Sequence, residues 1–191
     1  MSDLVNGHHP IQNGEWLRNG SPSTMYRESV PRWAAGSDLA IAASGVELAV
    51  AVPLQAGDIV SNITFVTGAT AANGPTAGYV CLRSAGGALL AQSADFGSTA
   101  RAANTAYTVA LATAQLVTAP GIYLVGISLT VSTTMPTLSG ASLRNGIMAG
   151  NIGSLGGVVL SKSHGSAVGA TAPATVATPT TTFAVPYFIL T

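Results

Sequence analysis

Residues 46–67 read VELAVAVPLQAGDIVSNITFVT, and the fold class turns on this stretch. Its first seven residues alternate around Glu47, the period of a strand with two distinct faces. Gln55-Ala56-Gly57-Asp58 then breaks the pattern as a turn, and residues 59–67 (IVSNITFVT) resume it with β-branched side chains. The same unit recurs further along the chain. Residues 79–83 and 88–92 flank Ser84-Ala85-Gly86-Gly87, a hairpin signal. Residues 105–112 come next, then 121–131 (GIYLVGISLTV) after Pro120-Gly121, and 183–190 (FAVPYFIL), where Pro186 marks an edge or a bulge. Gly or Pro interrupts the pattern every ~8–12 residues, as in sandwiches. Alanine favours helices, but an amphipathic surface helix needs a charged stripe that this chain lacks. An all-β, jelly-roll-like β-sandwich is expected over residues 37–191. Residues 139–182 are low in complexity, and a structureless loop of ~40 residues suits a compact domain badly. Short strands at 146–149 and 158–160 are therefore expected inside them.

Composition narrows the function. The 191 residues carry 14 formally charged side chains, seven of each sign, which is 7% of the chain. Ordinary soluble proteins have roughly 25%. Seven scattered basic residues cannot track a phosphate backbone, so nucleic acid is not expected as a partner. A membrane is not expected either. The longest greasy run, residues 121–131, falls short of the ~20 residues of a spanning helix, and no basic amphipathic stretch is present. The first residues, MSDLVNGHHPIQNGEW, have neither a basic start nor an apolar run, and do not read as a signal peptide. A soluble protein is expected.

Charge is also unevenly spread, with nine of the fourteen charges in residues 1–58. Residues 1–36 are polar, carry Pro10, Pro22 and Pro31, and show no helical or alternating period. Such a segment buries too little of its own apolar surface to offset its ordering entropy. It reads as an extended N-terminal arm that docks on something else. Trp16, Tyr26 and Trp33, with Arg32 beside the last, are its candidate protein-docking residues, since rigid rings bury much area at low entropic cost.

Catalytic and metal-binding patterns are thin. His8 and His9 are adjacent and point apart in an extended chain, and His164 is remote in sequence. The acids Asp3, Asp38, Asp58 and Asp95 are isolated, and Asp58 and Asp95 suit side-chain bonds to turn backbone better than calcium. Cys81, the single cysteine, lies mid-strand between Val80 and Leu82 and reads as a core residue. No G-x-S-x-G elbow or phosphate loop is present. An enzyme would need an acid/base pair from Asp38, Glu47, Asp58 and Asp95. No catalytic residue, cofactor or metal is expected. A sugar-binding face needs exposed aromatic platforms, whereas Tyr79, Tyr107, Tyr123, Phe65, Phe183, Tyr187 and Phe188 fall in expected strands as core candidates.

Residues 32–138 carry a recognisable series: Pro31-Arg32-Trp33, Ala56-Gly57-Asp58-Ile59-Val60, Thr67-Gly68 with Thr70-Ala71-Ala72, and residues 89–95 (LLAQSAD). The series continues through Ala102-Ala103-Asn104-Thr105, residues 120–126 (PGIYLVG) and Pro136-Thr137-Leu138. In this order the pieces resemble small virion structural proteins of actinobacterial tailed phages, the minor tail and head-decoration proteins. The chain departs from that pattern at Gly78-Tyr79-Val80-Cys81, where a Trp-rich strand is common, and at Phe96-Gly97 after Asp95. The resemblance implies a non-enzymatic protein on the virion exterior, made in the host cytoplasm and bound to other capsid or tail proteins through its arm. By analogy with decoration and fibre-like proteins, it implies a homo-oligomer, a trimer before a dimer. The alternative is a host-surface adhesin domain that binds a glycan.

Overall fold

The structure is a computed structural model that describes residues 25–41, 43–143, 160–165, 168–176 and 178–191. Trp16, His8, His9 and the strand expected at 146–149 lie outside these residues. Of the strand expected at 158–160, only Leu160 is described, at a bend.

The described residues are all-β and hold no α-helix. In chain order the strands are β1 (Arg27–Glu28), β2 (Ser37–Ala40), β3 (Glu47–Leu54), β4 (Ile59–Val66), β5 (Asn73–Ser84), β6 (Leu89–Gln92) and β7 (Ala106–Leu116). They continue with β8 (Gly121–Thr134), β9 (Thr137–Ser142), β10 (Ser161–His164), β11 (Thr180–Thr181), β12 (Ala184–Pro186) and β13 (Phe188–Leu190). A 3-10 turn at Arg32–Ala34 separates β1 from β2. Among the described residues, no helix is long and apolar enough to cross a membrane.

The strands form a six-stranded sheet ordered β11-β10-β3-β8-β5-β6, a four-stranded sheet ordered β1-β13-β4-β7, and a three-stranded sheet ordered β12-β9-β2. All pairings are antiparallel. One apolar cluster draws on all three sheets, as in a β-sandwich: Val50, Val80 and Ile127 from the first, Ile63, Phe65 and Phe188 from the second, Leu138 and Val185 from the third. Between β3 and β9 the chain passes repeatedly from one sheet to another, and only β5 to β6 stays in place as a hairpin. That hairpin closes through Ser84 and Ala88, with Gly87 at φ 89°, a left-handed conformation that glycine adopts without cost. Pro186 lies in β12, an edge strand, where its missing N–H removes no ladder bond on the open side.

The boundary at residue 36 needs correction. Arg27 and Glu28 pair with Leu190 and Ile189, the Ser29 N–H donates to the Phe188 carbonyl, and Val30 joins the main core. Arg27 is buried and forms an ion pair with Asp58 at 3.1 Å. Residues 25–36 therefore lie on the chain's own sandwich. A polar segment without a core of its own reads as an arm in sequence; its partner is the strand at the far end of the chain, β13.

The middle of the six-stranded sheet, where β3, β8 and β5 run side by side, is buried on both faces. Cross-strand registers put Leu48, Val80 and Ile127 on the inner face, in the main core. They put Glu47, Ser128 and Tyr79 in one row of the outer face, with His164 beside Glu47. Ala49, Gly126 and Cys81 form the next row. Residues 168–176 run over the β5 side of this outer face, with Ala172 against Tyr79 and Cys81, so the alternation around Glu47 separates two buried faces.

Candidate functional site

Two regions concentrate the polar chemistry of the described residues. The first is at the surface, around the 3-10 turn. Pro31 precedes the turn with φ −55°, its ring-fixed value, and Arg32, Trp33 and Ala34 follow. The Arg32 guanidinium donates to Glu28 Oε1 at 2.7 Å, to the Tyr26 hydroxyl, and through Nε to the Tyr187 hydroxyl at 3.3 Å. The Tyr26 hydroxyl in turn donates to Glu28 Oε1 at 2.6 Å. Burial and the Glu28 carboxylate raise the Tyr26 pKa. Burial works against the Glu28 carboxylate, but hydrogen bonds from Tyr26 and Arg32 outweigh it and lower its pKa. This network fixes the turn from below, and Trp33 stands on it 86% exposed.

The expected docking residues therefore divide. Tyr26 and Arg32 come together, but their polar ends are tied to Glu28 and Tyr187 inside the chain. Trp33 alone is free of such ties, and no other large apolar side chain among the described residues is as exposed. Trp16 lies outside the described residues.

The second region was not anticipated. On the outer face of the six-stranded sheet, Glu47 and Arg83 form an ion pair with both side chains fully buried. The contact is a two-pronged fork: Arg83 Nε donates to Oε1 at 2.8 Å and Nη2 to Oε2 at 2.7 Å. Tyr79 donates its hydroxyl to Oε2 at 2.7 Å, the Cys81 thiol lies 3.4 Å from Oε1, and His164 Nε2 lies 3.0 Å from Oε1. Arg83 Nη1 completes its bonding on the carbonyls of Gly87 and Pro173. Glycine at 126 makes room for the carboxylate, since a Cβ there would stand 2.5 Å from Glu47 Oε1 and 2.9 Å from Cys81 Sγ.

Burial alone would raise the pKa of Glu47. Hydrogen bonds from Arg83, His164 and Tyr79 overcome that and hold it down to about 2. The same burial and the neighbouring carboxylate push the Cys81 thiol and the Tyr79 phenol up. Both stay protonated at neutral pH, which makes Cys81 an unreactive thiol. No group here faces solvent, so the geometry is that of a fastener.

The other acids are engaged elsewhere. Asp58 accepts the Gln55 N–H within its turn at 2.8 Å, besides pairing with Arg27. Asp95 accepts the N–H groups of Gly78 and Gly97, and Asp38 that of Ala69. The turn roles read for Asp58 and Asp95 are thus present, with the Arg27 pair added at Asp58. Arg101 is also buried. Its guanidinium sits 5.0 Å from the Phe96 ring centre and 4.8 Å from that of Tyr107, and it donates to the carbonyls of Phe96, Thr99 and Ala100. Among the described residues, no three His, Cys, Asp or Glu side chains gather as metal ligands. The sequence did hold a signal for the buried pair. In a chain so poor in charge, Glu47 and Arg83 are opposite charges set inside two apolar strands, VELAVAV and YVCLRS.

Neither the protein-family models nor the curated proteins compared with this chain match it.

Proposed function

We propose that this protein is a non-enzymatic structural component of a tailed-phage virion, carried on the particle exterior as a minor tail or capsid-decoration protein. Trp33 carries this reading. An indole ring 86% exposed on a turn braced by Arg32, Glu28 and Tyr187 is preorganised to enter a pocket on another virion protein. The ordered series of short motifs from Pro31 to Leu138 supports the same class.

The sheet edges support a repeated, self-associating form. Strand β7 ends its sheet without a charged residue, bridged to Ser93 only at Leu111, and charges are the usual device that keeps edges apart. Its Leu116 lies opposite Ile59 of β4, and both side chains are exposed. We take the functional form as a homo-oligomer, a trimer by analogy with decoration proteins, joined through Ala/Thr/Val-rich contacts.

A glycan-binding adhesin is the second reading. The observation in its favour is again Trp33, an exposed aromatic platform of the kind sugar rings stack on. The test loads tagged protein onto virions during infection and quantifies it on purified particles. Removal of residues 2–24 and Trp33→Ala are separate arms. Cutting as far as residue 33 is unsuitable, because it deletes β1 and the Arg27–Asp58 pair and damages the fold itself. Loss of loading by folded Trp33→Ala is the expected result, and normal loading overturns the docking role. Retention of Trp33-dependent binding on a glycan array, with normal particle loading, selects the adhesin.

A further inference from the structure

We propose that residues 168–176 are a strap that opens as a unit from the outer face of the six-stranded sheet while the sandwich stays folded, with Glu47 and Arg83 as its latch. This inference is independent of the docking role of Trp33.

The strap reads VGATAPATV and has no charge or titratable group. It buries little apolar surface: Ala172 joins Tyr79 and Cys81 in a small cluster, with Val168 and Leu89 only partly buried beside it. The inner face of the same sheet, by contrast, joins the main core. What holds the strap is a short set of polar links. The Val168 N–H donates to the Gly45 carbonyl at 2.8 Å, and Thr130 Oγ1 donates to the Val168 carbonyl at 2.9 Å. The Ala172 N–H donates to Gln92 Oε1, Arg83 Nη1 to the Pro173 carbonyl, and the Leu89 N–H to the Ala174 carbonyl, each at 2.8 Å. Segments held by few buried apolar contacts open at lower free energy than the core beneath them.

Arg83 links the strap to the ionic cluster. Two of its nitrogens hold the Glu47 carboxylate and the third holds the Pro173 carbonyl. A buried guanidinium is tolerated only while its counter-charge is present. When Glu47 takes up a proton, Arg83 is left as a buried, unbalanced charge. Its remaining nitrogen already reaches out of the sheet to the carbonyls of Pro173 in the strap and Gly87 in the hairpin turn, so it leaves on the strap side. The groups facing Glu47 are Tyr79, Cys81 and Arg83 from β5 and His164 from β10, with Lys162 further along β10. The carboxyl is held ionised down to about pH 2 in the closed form, so acid favours the open one. Opening uncovers Tyr79 and Cys81.

Cys81 is the only cysteine, so its labelling reports the opening directly. The full-length protein is treated with an aromatic pyridyl disulfide that reacts below neutral pH. Rates are normalised to a short peptide carrying the same cysteine. Far-UV circular dichroism follows the sandwich in the same samples. Labelling is expected to depend on urea more shallowly than global unfolding does. It should accelerate on the order of tenfold per pH unit as pH falls between about 4.5 and about 2, while the dichroism persists. Glu47→Gln should raise the rate at neutral pH and flatten its pH dependence. Gln92→Ala removes one strap acceptor without touching the charges, and should raise the rate by a similar factor at every pH. Labelling that shares the urea slope of global unfolding in the wild type and in Gln92→Ala overturns the strap. A rate insensitive to acid overturns the latch.

Discussion

The 3-10 turn and the outer face of the six-stranded sheet use polar side chains in opposite ways. Around the turn, exposed Arg32 and half-buried Tyr26, anchored on buried Glu28 and Tyr187, brace a single apolar ring that is left to solvent. Under the strap, Glu47, Arg83, Tyr79 and His164 are all buried, and their bonds end on one another or on backbone. In the first region polar groups hold an exposed ring in place. In the second they close a contact within the chain. A protein with 14 charges has few to place, and burying Arg27, Glu28, Glu47, Asp58, Arg83 and Arg101, three of each sign, leaves its surface poorer still in charge. Such a surface suits contact with other proteins better than solitary solvation.

The contrast is broken most severely at Arg83. Arg83→Ala leaves the Glu47 carboxylate buried without its fork partner, and urea denaturation should show a loss of about 3–5 kcal/mol. Glu47→Leu with Arg83→Met should lose less than the single alanine variant, because neither charge is then stranded. Equal losses in both variants would mean that the pair contributes packing rather than charge balance.

Acid is the next largest perturbation. Glu47 has a lower pKa folded than unfolded, so the unfolded chain takes up its proton first. The stability it contributes is complete above about pH 4.5 and disappears as pH falls through about 2. A shift of this size corresponds to about 3 kcal/mol. Urea midpoints between neutral pH and pH 2 should fall in that window, and Glu47→Gln should remove most of the dependence. A smaller effect is expected at Gly126, where a methyl group would press on Glu47 and Cys81. Gly126→Ala should cost about 1–3 kcal/mol in the same measurement.

The strands rich in β-branched residues were legible from period alone: β3, β4, β8 and the β5–β6 hairpin fall where the alternation puts them. Strands β2 (SDLA), β9 (TLSGAS) and β10 (SKSH) were not, because they are short and polar and owe their conformation to the strands they pair with. Strand β5 starts earlier than expected, at Asn73. Gly74 and Pro75 look like a turn, but two register shifts absorb them into the ladder. Trp33 stood out in sequence as one of three large aromatics in a polar segment, but nothing in that segment separated it from Tyr26, which the structure ties to Glu28. At Glu47 the sequence shows only two opposite charges set in apolar strands: strand period shows which residues share a face but not that residues 168–176, over a hundred positions away in the chain, cover the face beside it.

The least perturbing substitution for the fold separates the two regions most cleanly. Trp33 belongs to neither core cluster nor ladder and is 86% exposed, so Trp33→Ala should leave the urea midpoint within ~0.5 kcal/mol of wild type. On a docking surface the same ring would act as a central anchor, and truncating such an anchor costs ≥ ~2 kcal/mol of binding, roughly thirtyfold in affinity. A stable Trp33→Ala protein that fails to load onto particles would therefore assign the two roles to two regions. If Trp33→Ala instead lowered stability by as much as Gly126→Ala, the ring would be packing against the chain itself, and the turn would belong with the strap as an internal fastening.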